Sequence, residues 1–219
     1  QTGAVTLTRA AANQGEATVT LGGSAATTLT GAVIASTNSL GDLVVSNTVG
    51  STVTSTIGTD AAKLDSATVN ANGIATFKAA TAANTLTVNG TLTLEENANG
   101  SETFAMGSAG ILYINKTVTN GEALIDEVAT IRPTIADGAK IYMPENLSTG
   151  QTLIMFDEQA DNSLADHAST ITEANAAIQD TALYNYVAAS SSDSLVVTVN
   201  AKDSATTSSE LGVTKNDAT

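Results

Sequence analysis

Four carboxylates late in the chain have the residue type and spacing of a calcium site. Asp157, Glu158, Asp161 and Asp166 fall in a short polar segment that has the composition of a loop. Such hard oxygen ligands are those that Ca²⁺ prefers in proteins. The spacing is not that of an EF-hand, and a solvated acidic loop without an ion fits the same residues. Calcium is therefore the one candidate cofactor, bound at this loop or between subunits.

The sequence gives less support for a catalytic site than for this calcium site. A serine protease needs a serine with histidine and aspartate partners, but the one histidine, His167, lies in a polar segment and no Gly-Asp-Ser-Gly sequence occurs. Paired carboxylates at Glu95–Glu96, Asp126–Glu127 and Asp157–Glu158 raise the alternative of polysaccharide cleavage. Adjacent residues of a strand point to opposite faces, so these pairs are not expected to converge. We expect no catalytic residues and no enzymatic activity.

The elements that would position any site are short β-strands, and the clearest stretch is Asn84 to Thr119. In it, threonines alternate with the apolar residues Leu86, Val88, Leu92 and Leu94. Strict alternation is typical of a strand with one buried face, and the Asn and Gly residues between the runs favour turns. The apolar pattern then resumes with Phe104, Met106, Ile111, Tyr113 and Ile114. We interpret the stretch as a central coil of a parallel β-solenoid.

Similar units occur along most of the chain. Short apolar and threonine-rich runs return at a spacing of roughly 20 residues, which is within the range of repeat architectures. The Asn72–Gly73 dipeptide is either a tight corner of such a coil or a type I′ hairpin turn, and we favour the corner. Aromatic residues make up only 3% of the 219 residues, which suits a narrow core of small aliphatic side chains better than a compact enzyme.

The last third departs from the repeat. Residues 159–183 begin as a polar segment, and Thr170 to Leu183 has near-helical spacing with a possible capping box at Thr170 and Glu173. Residues 184–200 read as a hairpin, and residues 201–219 read as a polar tail. The predicted organisation is a β-solenoid over 1–158, a helical excursion with a closing hairpin over 159–200, and a tail over 201–219.

The charge excludes several partners. The formal net charge is −14 with only 8 Lys and Arg, so neither nucleic acid nor an anionic membrane surface is an expected partner. No apolar run is long enough for a transmembrane helix, so this segment is not expected to insert into a membrane. The chain has no cysteine and starts at Gln1. We expect a processed, exported segment whose targeting sequence has been removed.

Three late motifs resemble the passenger domains of autotransporters, the type V secreted proteins. They are the hydrophobic strand from Gly150 to Asp157, the pattern from Tyr184 to Val199 that resembles a closing hairpin, and the segment from Ser209 to Asn216. The upstream coils resemble alphaproteobacterial and rickettsial surface-layer autotransporters. The resemblance implies a right-handed parallel β-helix on the outer surface of a Gram-negative bacterium, exported through its own outer-membrane barrel.

These observations predict an all-β, extracellular structural protein. We expect it to coat the cell surface and to self-assemble into an S-layer-like array, so that its main partners are other copies of itself. A surface adhesin is the first alternative, and a polysaccharide-active enzyme is the second. Fold alone does not select among them, because one fold hosts many functions.

Overall fold

The computed structural model describes residues 3–8, 16–99, 103–127, 133–158, 168–191 and 194–212. Over these residues the chain is mainly β-structure. The strands are, in chain order, β1 (Val5–Leu7), β2 (Thr18–Leu21), β3 (Thr27–Leu29), β4 (Val33–Ala35), β5 (Asp42–Val45), β6 (Ser51–Val53), β7 (Leu64–Val69), β8 (Ile74–Phe77), β9 (Ala83–Val88), β10 (Thr91–Leu94), β11 (Ala98–Asn99), β12 (Thr103–Met106), β13 (Ile111–Ile114), β14 (Ala123–Glu127), β15 (Thr134–Ile135), β16 (Lys140–Tyr142), β17 (Thr152–Glu158), β18 (Ile178–Gln179), β19 (Tyr184–Ser191) and β20 (Ser194–Ala201).

The strands fall into three lines of hydrogen-bonded neighbours. Sheet 1 has the order β2-β5-β7-β9-β12-β15, and sheet 2 has the order β3-β6-β8-β10-β13-β16-β18. Sheet 3 begins with the β1-β4 pair and ends with β11-β14-β17-β20-β19. Single parallel bridges from Val33 to Ile57, from Ile57 to Thr81 and from Thr81 to Ala98 join its two parts. The chain therefore visits the three lines in turn.

The strand pairs formed among β1 to β18 are parallel, which confirms the predicted all-β class with parallel sheets. In sheet 1 Asp42 pairs with Ser66, 24 residues later. Farther along, Glu96 and Lys116 stand 20 residues apart and their side chains meet. The spacing is not constant, because Ala105 of sheet 1 pairs with Thr134, 29 residues later. The connections between successive strands therefore differ in length.

Alternation within each strand separates the core from the surface. Leu43, Ala67, Leu86 and Phe104 form one inward row of sheet 1, and all four are fully buried. Val88, Leu92 and Leu94 are buried as predicted. The stretch from Asn84 to Thr119 was predicted to be one coil, but it contains five strands, β9 to β13, and is longer than one passage. Its β9 and β12 are neighbours in sheet 1, so the stretch covers almost two passages.

One part of the predicted inward pattern is wrong. Ile111 and Tyr113 were expected to continue the apolar face after Phe104, but the buried residues of β13 are Leu112 and Ile114. The strand is apolar at all four positions, so alternation by itself did not indicate which pair faces inward. The register with β10 decides, because Leu112 pairs with buried Leu92.

The corner between β7 and β8 is the tight corner that the sequence predicts. The two strands belong to different sheets, so Asn72–Gly73 forms a tight corner and not a hairpin turn. Asn72 has φ 63°, which lies in the left-handed region that Asn tolerates better than most residues. The corners of successive passages lie in close contact, because a Cβ atom on Gly90 would lie 2.3 Å from the Gly73 carbonyl oxygen. A side chain at position 90 would therefore force the backbone of one of these corners to shift.

The two helices of the described chain lie near its end. Helix α1 (Ala168–Ala177) packs against β15 and β19. The predicted capping box is wrong, because Thr170 lies inside α1 and its hydroxyl donates to the Pro133 carbonyl at 3.5 Å. Glu173 instead accepts a hydrogen bond from the Ile135 amide at 3.4 Å. The excursion thus ties itself to β15, the edge strand of sheet 1.

Residues 184–200 form a hairpin, as the sequence predicts. Strand β19 pairs antiparallel with β20, and β20 pairs antiparallel with β17. The segment predicted as a polar tail contains a second helix, α2 (Ser204–Leu211), which begins at the N-cap Asp203 and ends at Gly212 in the left-handed conformation. Among the described residues, neither helix has the length and apolar composition of a membrane-spanning helix.

Candidate functional site

The predicted calcium loop is only partly within the described chain. The Asp157 carboxylate accepts a hydrogen bond from the Ser194 hydroxyl at 2.7 Å, which fastens β17 to β20. The Glu158 side chain, Asp161 and Asp166 lie outside the described residues, as does His167. Calcium at this loop therefore stays a prediction.

A second group of carboxylates lies at the start of the chain. Oxygens of Glu16, Asp42 and Asp65 lie within 4.8 Å of one another. The Glu16 carboxylate accepts from the Gly41 amide at 3.0 Å, and Asp42 accepts from the Ser66 hydroxyl at 2.6 Å. These contacts join successive passages at one corner. Acidic groups also gather on protein surfaces without an ion, so we assign no metal to this cluster.

A lysine binds two acids at another corner. The Lys116 ammonium group lies 2.6 Å from Glu122 Oε1 and 3.3 Å from Glu96 Oε2, and it donates to Asn97 Oδ1 at 2.8 Å. Its side chain is 13% exposed. The hydrogen bond from Lys116, followed by one from the Thr119 amide, lowers the pKa of Glu122. Burial opposes the charge of Lys116, but its bonds to Glu122 and Glu96 outweigh burial and raise its pKa.

These shifts favour a structural role for the lysine cluster. A general acid needs a raised carboxyl pKa and a general base amine needs a lowered one, and both directions here are the opposite. The adjacent acids Glu95 and Glu96 lie in the bend after β10, and each pairs with a different lysine: Glu95 with Lys78 at 3.2 Å and Glu96 with Lys116 at 3.3 Å. The cluster holds the segment after β13 against the corner of the preceding passage.

The outer row of sheet 2 carries the most distinctive surface. Its residues face away from the core in register, one from each strand: Thr28, Thr52, Thr76, Thr93, Tyr113, Tyr142 and Gln179. The Tyr113 and Tyr142 rings are stacked, with centroids 4.6 Å apart and planes inclined by 11°. Tyr113 is 39% exposed. Large aromatic surface thus replaces threonine where the row reaches β13.

The two tyrosines line an open groove of about 490 Å³, which we name the tyrosine groove. Its other lining residues are Thr93, Ile114, Asn115, Met143, Glu145, Gln179, Asp180 and Thr181. Asn115 and Glu145 are exposed, and their side chains have no hydrogen-bond partner within the described chain. The Asp180 carboxylate accepts from the Tyr186 amide at 3.0 Å. This groove is the candidate functional site.

Sequence reasoning missed the tyrosine groove. The available signal was the likeness of two strands, Ile111-Leu-Tyr-Ile114 and Lys140-Ile-Tyr-Met143, each with a tyrosine at the third position. Aligning them would have placed the tyrosines side by side, because equivalent positions of successive passages stack in a parallel ladder. No local pattern indicates the contribution of Asp180, which follows α1.

Comparison of the chain with protein-family models, with curated proteins and with solved structures gives no match in any of the three.

Proposed function

We propose that the three sheets close into a right-handed β-helix, and that the chain is an extracellular structural protein that self-assembles on a cell surface. In this proposal it is an autotransporter-type passenger that coats the outer surface of a Gram-negative bacterium in an S-layer-like array. The parallel pairing among strands β1 to β18 supports the β-helix. Each passage then contacts only its neighbours and the molecule is elongated.

The observation that carries self-assembly is the outer row at the middle of sheet 1. It is formed by small and β-branched residues without a charge: Thr20, Val44, Thr68, Thr87, Ala105 and Thr134. Successive strands of a sheet are about 4.8 Å apart, so the row is regular. Copies with a net charge of −14 repel one another, and that repulsion is weakest along a row without a charge. Asp42, which belongs to the acidic cluster, lies at the start of β5 and outside this row. We propose sheet 1 as the face between copies.

The test is to charge this face and to measure assembly. We expect the double variant Thr68→Lys with Thr87→Lys to shift the concentration-dependent mass, measured by light scattering after size exclusion, toward the monomer. The matched control places the same two charges on sheet 2, as Thr52→Lys with Thr76→Lys. We expect that variant to assemble like the wild type.

Each preparation is measured with and without calcium, because calcium at the acidic loop is part of the same prediction. Electron micrographs of the assembled protein would then distinguish a two-dimensional array from fibres. A wild-type chain that stays monomeric at high concentration in both conditions contradicts self-assembly. Equal assembly of the two lysine variants contradicts the choice of sheet 1.

A surface adhesin is the second candidate, and the tyrosine groove is the observation that favours it. The backbone pairing of sheet 2 does not require aromatic side chains, because threonine occupies the same row in four of its other strands. Partly exposed aromatic residues beside polar groups are characteristic of recognition surfaces. Saturable binding of the monomer to cells would favour this function over a purely structural one.

A further inference from the structure

We infer that the tyrosine groove binds an uncharged saccharide. This inference does not depend on self-assembly, since it uses sheet 2 and leaves the sheet 1 face free. The argument rests on the stacked rings, the polar groups around them, the size of the groove and the sign of its charge.

The stacked rings supply an apolar surface of fixed geometry. Tyr113 and Tyr142 come from β13 and β16, and the backbone register of these strands holds them side by side. A tyrosine offers a large rigid surface and loses little conformational freedom on binding. Stacking covers the faces that the two rings turn toward each other. The C–H groups of a pyranose ring would therefore pack against an outer ring face, while its hydroxyl groups remain available for hydrogen bonds.

The polar groups around the rings match those hydroxyls. The Glu145 carboxylate accepts hydrogen bonds only, and the Asn115 amide both donates and accepts. Neither has a partner within the described chain, so binding a sugar hydroxyl would break no protein contact. Hydrogen bonds to an ionised carboxylate are stronger than those between neutral groups. The groove volume of about 490 Å³ lies within the range of small-molecule sites.

The sign of the charge selects among saccharides. The groove lining contains two carboxylates, Glu145 and Asp180, and no lysine or arginine among the described residues. An acidic sugar such as a uronate would be repelled by these groups and by the net charge of the whole chain. Neutral hexose residues are therefore the expected ligands.

The experiment is a titration followed by the protein's own tyrosine fluorescence. The chain has no tryptophan and four tyrosines. Two of the four tyrosines lie in the groove, and no tryptophan emission obscures their fluorescence. The probes are neutral oligosaccharides of glucose, mannose and N-acetylglucosamine, and an oligogalacturonate of equal length as the acidic probe. We expect saturable binding of at least one neutral probe, and binding of the acidic probe at least tenfold weaker.

Variants then place the binding in the groove. We expect Tyr113→Ala and Glu145→Gln each to weaken binding of the neutral probe at least tenfold. We expect Tyr184→Ala, in the hairpin, to leave the affinity for this probe unchanged. Tyr113→Phe keeps the ring and retains binding. If Tyr113→Ala unfolds, the Glu145→Gln variant tests the inference instead, because Glu145 is exposed and its side chain has no hydrogen-bond partner among the described residues.

Three results would overturn the inference: no neutral probe binds, the acidic probe binds best, or the groove variants bind as well as the wild type. The titration is repeated with the Thr68→Lys and Thr87→Lys variant. We expect it to bind saccharide as the wild type does, so that failure of saccharide binding and failure of self-assembly are recognised separately.

Discussion

Replacement of Asn47 by alanine is expected to remove a set of hydrogen bonds that fastens one corner of the β-structure. Asn47 follows β5 and is fully buried. Its Nδ2 donates to the Ala25 carbonyl at 2.7 Å, and its Oδ1 accepts from the amides of Val49 at 2.8 Å and Gly50 at 3.2 Å. The side chain thus joins the corner of one passage to that of the preceding passage.

The structure sets the size of the expected loss. A fourth bond, from Nδ2 to Thr27 Oγ1, is long at 3.5 Å and is left out of the sum. The three shorter hydrogen bonds at about 1 kcal/mol each give a decrease of about 3 kcal/mol in the free energy of unfolding. For a chain of this length the melting temperature falls by about 2–4 °C per kcal/mol. Asn47→Ala is therefore expected to melt about 6–12 °C below the wild type. Far-UV circular dichroism during heating measures the temperature, and urea unfolding measures the free energy.

The matched control is an asparagine at the equivalent corner of the next passage. The Asn70 side chain donates a single, exposed hydrogen bond to the Ser46 hydroxyl at 2.9 Å. Asn70→Ala is expected to change the free energy of unfolding by no more than about 0.5 kcal/mol. Two results would refute the inference that the buried hydrogen bonds of the Asn47 side chain stabilise this corner. One is a cost of less than about 1 kcal/mol for Asn47→Ala, and the other is equal destabilisation of the two variants.

Two further predictions concern charge and backbone contact. The pKa of Glu122 is lowered by its bond from Lys116, so this carboxylate stabilises the fold above its unfolded pKa of about 4.3, and the stabilisation is lost as pH falls through the folded pKa. Glu122→Gln should thus be less stable than the wild type at neutral pH, with a difference that disappears in acid; urea unfolding at several pH values measures it, and a constant difference contradicts the linkage. Gly90→Ala should cost about 1–3 kcal/mol because its Cβ meets the Gly73 carbonyl oxygen at 2.3 Å. Gly22→Ala, whose Cβ has its nearest contact at 4.0 Å, is the control, and equal melting of the two variants would contradict the close approach.

Local patterns in the sequence determined which residues form strands and, in most strands, which side faces the core. The alternation around Leu86 and Leu92 predicted their burial, because side chains of a strand alternate between its two faces whatever the strand pairs with. The turn at Asn72–Gly73 was predictable from the residue types, because Asn and Gly tolerate the left-handed backbone conformation that tight turns need. The signals of α2 were local too: an N-cap aspartate, Asp203, and a terminal glycine, Gly212, flank it.

Tertiary structure decided which strands became neighbours, and with that it decided the site. The sequence predicted neither the stacking of Tyr113 on Tyr142 nor the pairing of Lys116 with both Glu96 and Glu122. These contacts join residues of different passages, and the lengths of the connections between passages vary. A change of one residue in strand register turns every side chain to the opposite face. Only the assembled sheets fix that register, so only they show that the stacked tyrosines line a groove together with Glu145 and Asp180.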